Sequence, residues 1–497
     1  MDTTRPGAVS ALLAAPHLVD VAAPGMEGLA RWLAGAGADV TGSVPADLAG
    51  SPVVAALEAG GVRVHVGFDA AHVGAERSTV VWSGVVVGPH PELDRARVLG
   101  LPVLGRAVAL NTIAARTGAV TVAVAGSHST ATAAAALAHV LDDGHTGWIL
   151  NTPARVGAPG HAAAGHRIVI DLCPDNGTHE AAPPFAWQHL PAPHSPLAEP
   201  RYAAALIMST GANAPHFEDP VAGLDAAERV ARRADTVVLP IWDKSAALLR
   251  DRLTGRPGPN VVTVGLDTSS TVQVTHLTRT AAGFRIVLRH QGAGHSFDVP
   301  VAGRHHALAV CAAIATALVI DADPRAVVQR ATAFPGAERC LATVGTEGGV
   351  TVVDSRARHP HEIAQDVLEA ARLLTEGSLL VVLELDGLAR AGAHAEEIGE
   401  ALADADLALL LPVSTPLTRH TVPDPLDAIE QAALQHLDAG AVHRLRSGPG
   451  DADTVQQIDD MVTEGDLVLV VGTGQAEQLA PRLLAHLAPP TAPTPQS

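Results

Sequence analysis

Lysine is almost missing from this chain. Of 497 residues only Lys244 is a lysine, so nearly all of the 33 basic side chains are arginine. A phosphate-gripping lysine placed at the head of a helix therefore has no supplier at any other position. Cysteine is scarce too: Cys173, Cys311 and Cys340 are far apart, odd in number and form no CxxC. That excludes a disulfide framework and a paired-cysteine metal site, and it fits a reducing cytoplasm. Aromatic residues make up 2% of the chain, so its cores must be built from Ala, Val and Leu. Positive charge is in deficit, with a formal net charge of −19. This disfavours nucleic acid and acidic membrane surfaces as partners but leaves a small anionic ligand open. Long apolar runs are lacking as well. The N-terminal stretch Ala8–Ala15 is too short to span a bilayer and runs into Pro16 and His17, so neither a signal peptide nor a membrane anchor is expected there. The expected compartment is the cytoplasm.

What is present is 47% hydrophobic residue content, enough for several cores, in a length that suggests about three domains. Strand-like and helix-like runs alternate throughout, which predicts an α/β fold. The first domain is expected over 1–112, with strands at His17–Val21, Asp39–Gly42, Leu57–Gly60, Arg63–Val66 and Thr79–Trp82, and a helix over Met26–Ala36. A link over Ala107–Thr117 leads to a second domain, 113–330, with strands at Arg167–Leu172, Ala204–Met208 and Thr236–Pro240. That domain also holds hairpin material over Thr271–His290 and a buried helix over Val310–Ile320. The third domain, 331–488, has strands at Val350–Asp354, Leu379–Leu385, Leu407–Leu411 and Leu467–Val471. The Pro- and His-rich stretch 181–200 reads as a surface loop, and the Pro/Thr-rich tail 489–497 as disordered.

The segment Thr121–Thr132, TVAVAGSHSTAT, has the strand, glycine turn and helix order of a nucleotide phosphate loop. Gly126, Ser127, His128, Ser129, Thr130 and Thr132 are its nucleotide-binding candidates. In a working loop a lysine reaches the β- and γ-phosphates and the next hydroxyl holds Mg²⁺. Here those places read Thr130 and Ala131.

Taken in order, the segments resemble the Mur ligase family, in particular its alanine-adding branch. HLVDVAAPGMEGLA (17–30) resembles the family's glycine-rich UDP-binding opening. Ser83, His90-Pro91-Glu92 and Gly100-Leu101-Pro102-Val103 resemble its next landmarks. AGSHSTAT resembles AGTHGKTT, and MSTGANAPHFED (208–219) resembles the stretch with an Asn and a His near metal and nucleotide. GRHHALA (303–309) resembles GRHNxxN, GAERC (336–340) the arginine that opens the third domain, DSRARHPHE (354–362) the motif DDYGHHPxE, and GDLVLVVGTG (465–474) the closing strand and turn. The resemblance covers nearly the whole chain. It implies a three-domain α/β architecture: a Rossmann-like N-terminal domain, a P-loop-type central domain and a Rossmann-like C-terminal domain. It also implies ATP- and Mg²⁺-dependent joining of a carboxylate to an amino acid through an acyl phosphate.

The same comparison shows where the pattern breaks. In the opening, Asp20, Ala22 and Ala23 stand at glycine places, which leaves Gly25 and Gly28; Gly25, Met26 and Ser83 are the UDP-sugar candidates. Two readings of that turn stay open, a structural one and a weak sugar-nucleotide site. In the metal run, DLCPDN, a glutamate place holds Pro174, which leaves Asp171 and Asp175 as oxygen-donor candidates. His216 survives, but its Asn and Asp companions are replaced by Gly211 and Pro215. In the third domain Arg339, His359 and Asp354 survive, Ser355 and Arg358 are replacements, and LDGL (385–388) stands where the family has its amino-acid-site motif. His216, Arg339 and His359 are thus remnant catalytic candidates. The cluster His161, His166, His179, His189 and His194 lacks metal-ligand spacing and reads as loop histidines.

These losses predict an inactive or strongly attenuated Mur-ligase-like protein with a binding or regulatory role. Its expected partner is an active ligase or another cytoplasmic enzyme, with a sugar nucleotide as the candidate ligand and no cofactor assigned. The alternative is an active, diverged amide ligase that uses ATP and Mg²⁺, with Arg304 and Arg339 in place of the lysine. A small-molecule-binding module of unrelated role is the third reading.

Overall fold

A computed structural model describes residues 9–488 apart from 24, 84–88, 156, 173–199, 211–219, 255, 256, 321, 386, 387, 414–423, 447, 449, 474 and 475. Asp175, Pro174, His216, residues 181–199 of the Pro- and His-rich stretch and the tail lie outside the described residues. The chain forms two compact units. One runs to residue 301 and takes in 305–338; the other comprises 302–304 and 339 onward.

The first unit holds two sheets. The N-terminal sheet contains β1 (Pro16–Val19), β2 (Thr41–Val44), β3 (Arg63–Val66), β4 (Thr79–Trp82) and β5 (Val103–Gly105), in the order β3-β2-β1-β4-β5, all parallel. Its helices are α1 (Met26–Gly35), α2 (Pro52–Ala59), α3 (Pro91–Val98) and α4 (Arg106–Arg116). Two expectations fail here. Leu57–Gly60 is the end of α2 rather than a strand: Pro52 occupies the first helical turn, where its fixed φ is tolerated, and Leu57 is buried on the helix face. Residues 107–116 of the supposed link belong to α4 and Thr117 caps it; the helix's Ala, Leu and Ile side chains fill the core.

The second sheet has ten strands: β6 (Val120–Ala125), β7 (Thr146–Ile149), β8 (Gly160–His161), β9 (Arg167–Asp171), β10 (Tyr202–Ile207), β11 (Ala234–Pro240), β12 (Asn260–Gly265), β13 (Val272–Thr280), β14 (Gly283–His290) and β15 (Ala293–Val299). Their order is β15-β14-β13-β12-β11-β10-β6-β9-β7-β8. The central strands are parallel and read as near-continuous Val, Ile, Leu and Ala runs, as strands buried on both faces do. With them run α5 (Thr130–Leu141), α6 (Pro220–Ala231), α7 (Lys244–Leu253), α8 (Arg304–Val319) and α9 (Pro324–Thr332). Alanine makes α5 thin enough to be buried almost all round.

The second unit is a six-stranded sheet of β16 (Ala342–Glu347), β17 (Val350–Ser355), β18 (Leu379–Leu383), β19 (Leu407–Leu410), β20 (Val442–Arg444) and β21 (Leu467–Val471), in the order β16-β17-β21-β18-β19-β20. Only β16 joins antiparallel. The helices are α10 (Pro360–Leu373), α11 (Leu388–Ala393), α12 (Ala395–Glu400), α13 (Pro425–Ala433), α14 (Ala452–Asp459) and α15 (Ala476–Leu487). Cores lie on both faces of the sheet. No described helix is long and apolar enough to cross a membrane.

Candidate functional site

Neighbouring parallel strands end at the same level, so the turns after β6, β10 and β11 converge. The turn after β6 is the phosphate-loop-like segment. Ser127 N–H donates to Ser209 Oγ at 2.8 Å, and the two hydroxyls lie 3.0 Å apart. Ser129 caps α5 in the left-handed region, φ 60°, where the resembled motif carries glycine; that conformation costs a serine about 1 kcal/mol. Thr130 starts α5 and is buried, while Thr132 bonds His306 Nδ1 at 2.9 Å.

His128 faces a carboxylate at this turn. Its Nε2 lies 3.4 Å from Asp243 Oδ2, and its Nδ1 lies 3.3 Å from Ser129 Oγ. Asp243 caps α7 and accepts from Ser245 and Ala246 N–H, both at 2.9 Å, and from Ser245 Oγ at 2.5 Å. Burial pushes the Asp243 carboxyl up. His128, Ser245 and the Ala246 amide outweigh burial and hold it at about 2. Thr210 N–H donates to Ser245 Oγ at 2.9 Å, which extends the network to the end of β10. Hydroxyls and an imidazole–carboxylate pair thus occupy the turn. The Asp-Lys-Ser helix start at 243–245 was open to reading as a cap, but its pairing with His128 has no sequence signature.

A magnesium nucleotide needs a cation over the β- and γ-phosphates and a hydroxyl on the metal at the first turn of α5. Thr130 is neutral, Ala131 has no hydroxyl, and an ionised Asp243 sits against His128. The residues present do not fit that ligand. Asp171, at the end of β9, is fully buried and receives Asn151 N–H at 3.4 Å.

At the first glycine turn, Gly25 caps α1 with φ 75°, a conformation that favours glycine. Arg106 packs against it and donates to Asn151 Oδ1. Met26 is fully buried in the core. Gly28 faces the Leu150 and Pro159 carbonyls and has no room for a Cβ. Ser83 follows β4 and is half-buried. The His90-Pro91-Glu92 landmark proves to be a core feature. Glu92 is fully buried; it accepts from Ser43 Oγ at 2.6 Å and from Asp69 N–H at 3.4 Å, and it faces His72 at 2.9 Å and His17 at 3.4 Å. Burial would raise its pKa, but these partners keep the carboxyl below the usual range.

Asp20, at a former glycine place, has φ 56°. Burial, then the charges of Asp47 and Glu92, push its pKa up from 3.8 to about 6. Because the folded value exceeds the unfolded one, the stability linked to this group is complete below pH 3.8 and is lost as pH rises through about 6. Asp20→Asn is therefore expected to stabilise the protein at pH 7.5 by about 2 kcal/mol. Thermal melts across pH should show that gain shrinking to nothing below about pH 4. A constant gain at every pH would contradict the assignment.

In the second unit Arg339 donates Nε and Nη2 to Asp354 at 2.8 and 3.0 Å, and Nη2 to the Gly472 carbonyl at 2.9 Å. His359 caps α10, and its Nδ1 accepts from His361 N–H at 3.3 Å. Glu384, at the end of β18, caps α15 by accepting Ala476 N–H at 2.5 Å. Arg304 is exposed at the start of α8.

Two family models match the sequence: Mur ligase family, catalytic domain, over residues 16–117, and Mur ligase, glutamate ligase domain, over 340–474. The UDP-N-acetylmuramate–L-alanine ligase of Streptomyces avermitilis is 30% identical over 482 residues, which is 95% of this chain and 97% of that one. The ligase of the same name from Kineococcus radiotolerans is 32% identical over 489 residues, covering 95% and 96%. Among solved structures, UDP-N-acetylmuramate-alanine ligase from Thermotoga maritima superposes with a TM-score of 0.73 at 19% identity, covering 95% of this chain and 98% of that one. A murein peptide ligase from Psychrobacter arcticus gives 0.72 at 18% identity, covering 96% and 100%.

Proposed function

We propose a function from one premise: the chain belongs to the Mur ligase family. Its α/β fold, with three largely parallel sheets, is that of the family's solved members. Within the family it is a member whose central loop no longer runs ATP-driven ligation, and its role is to bind rather than to join. The observation that carries this reading is the His128–Asp243 pair, set beside Thr130 and Ala131 at the places for lysine and the metal hydroxyl. Phosphoryl transfer is catalysed almost wholly by positioning and charge neutralisation. An imidazole held against a carboxylate, with no lysine and no metal ligand, supplies neither. The binding role is directed at an active ligase or another cytoplasmic enzyme, with a sugar nucleotide as the candidate small ligand.

A second reading is an active, diverged ATP-dependent amide ligase. It is favoured by similarity at about 30% identity to proteins named as such ligases over 95% of this chain. ADP release separates the two readings. With Mg-ATP and a panel of acids and amino acids that includes UDP-N-acetylmuramate and L-alanine, release is expected to stay at the no-protein background. Turnover that depends on both acid and amine would establish the second reading and end the first.

A further inference from the structure

Three side chains at the turn after β6 stand in a row that a binding role does not use. Ser129 Oγ lies 3.3 Å from His128 Nδ1, and His128 Nε2 lies 3.4 Å from Asp243 Oδ2. Hydroxyl, imidazole and carboxylate follow one another as a nucleophile, its base and the group that orients the base must do. The fold brings them together. β10 and β11 run parallel beside β6, so the start of α7, where Asp243 sits, meets the start of α5. Contacts of this length are usual for such groups before a substrate arrives.

Each member suits its place. Asp243 accepts from the Ser245 and Ala246 N–H groups and from Ser245 Oγ, which fixes its carboxylate. That carboxyl stays ionised through the neutral range. With Asp243 ionised, the network assigns the His128 hydrogen to Nε2 and leaves Nδ1 as the acceptor facing Ser129. Ser129 is half-buried and sits on a sharp strand-to-helix turn at φ 60°. Glycine would take that conformation without strain. A serine there offers a hydroxyl at the cost of backbone strain, as nucleophiles on strained strand-to-helix turns do. Ser129 makes no side-chain cap on α5. The first-turn N–H groups of that helix therefore stand next to the hydroxyl as donors for a developing oxyanion.

We propose that Ser129, His128 and Asp243 form a hydrolytic triad that cleaves small carboxylic esters through an acyl-serine intermediate. This chemistry goes beyond a binding role and uses neither ATP nor a metal. His128 Nδ1 takes the Ser129 proton as Oγ bonds to the ester carbonyl carbon. The imidazolium gives that proton to the leaving alcohol oxygen as the ester carbon–oxygen bond breaks. Water then adds to the acyl-serine while His128 takes its proton, and the carboxylic acid leaves as Oγ takes the proton back. Ser129 and His128 are the catalytic residues, and Asp243 is a positioning residue.

Incubation of the full chain with 4-nitrophenyl acetate reads this activity. Saturable release of 4-nitrophenol above the buffer rate is expected, with an acetyl group on Ser129 in peptide mass spectra of acid-quenched protein. Ser129→Gly and His128→Gln are each expected to lower kcat/KM by about 100-fold or more. Ser129→Gly should melt within about 3 °C of wild type, since glycine relieves the turn while loosening the unfolded chain, so its lost activity is not lost fold. Asp243→Asn keeps a good cap on α7. It should cost about tenfold or more in kcat and move the rising limb of the pH–rate profile to lower pH, because an imidazolium beside a carboxylate gives up its proton less readily. Ser296→Ala, an exposed change on β15, is expected to leave the rate unaltered. No release above buffer, release retained in Ser129→Gly, an acetyl group on His128 or Lys244 and not on Ser129, or an unmoved profile in Asp243→Asn overturns the triad.

Discussion

Gly28→Val is expected to lower the melting temperature by about 10 °C or more, an effect of roughly 3–5 kcal/mol. Gly28 sits in α1, where a side chain is normally cheap. A Cβ there would run into the Leu150 carbonyl and come within 2.8 Å of the Pro159 carbonyl, both of them backbone. Those two residues are joined by the Leu150 N–H to Pro159 O bond of 2.7 Å, so neither can retreat without breaking the turn between β7 and β8. A Cβ at Gly160, the residue after Pro159, would in turn run into the Gly28 carbonyl. Rigid interiors turn such an overlap into a shift of whole elements. The measurement is calorimetric melting of the variant. An unchanged transition accompanied by loss of sugar-nucleotide binding would assign the glycine to a ligand instead of to packing.

Thr130→Lys combined with Ala131→Thr is expected to create Mg-ATP binding at least about 100-fold tighter than wild type, because a desolvated charge contact of this kind is worth several kcal/mol. The turn, the head of α5 and the hydroxyls of Ser127 and Ser209 are already in place. Ligation is nevertheless expected to stay absent. Pro174 still stands where the resembled metal run carries a glutamate, and LDGL still stands at the amino-acid-site motif. Calorimetry with Mg-ATP reads the first part and product formation from UDP-N-acetylmuramate and L-alanine reads the second. Alanine ligation by the double variant would show that the loop alone had been at fault.

Much of the fold was legible because its strands are apolar Val, Ile and Leu runs, such as Leu379–Leu383 and Leu467–Val471, bounded by turn residues. Helix α2 was misread in part because a short apolar run carries no period of its own; Pro52 at its head was the better guide. The missing lysine, the hydroxyl replaced by Ala131 and the acid at Asp20 were all visible, since each is a departure at one position of a known spacing. The partners were not visible. His128 meets Asp243, and Glu92 gathers Ser43, His17 and His72, only because parallel strands distant in sequence end side by side. Gly28 looked like half of a ligand turn, and its neighbours Leu150 and Pro159 come from the distant connection between β7 and β8.

Calorimetric titration of the wild-type chain with Mg-ATP tests the central claim most directly, because it asks whether the turn after β6 still holds a metal nucleotide. No saturable heat up to millimolar nucleotide is expected. Tight, magnesium-dependent binding that is lost on substitution within Ser127–Thr130 would contradict the account.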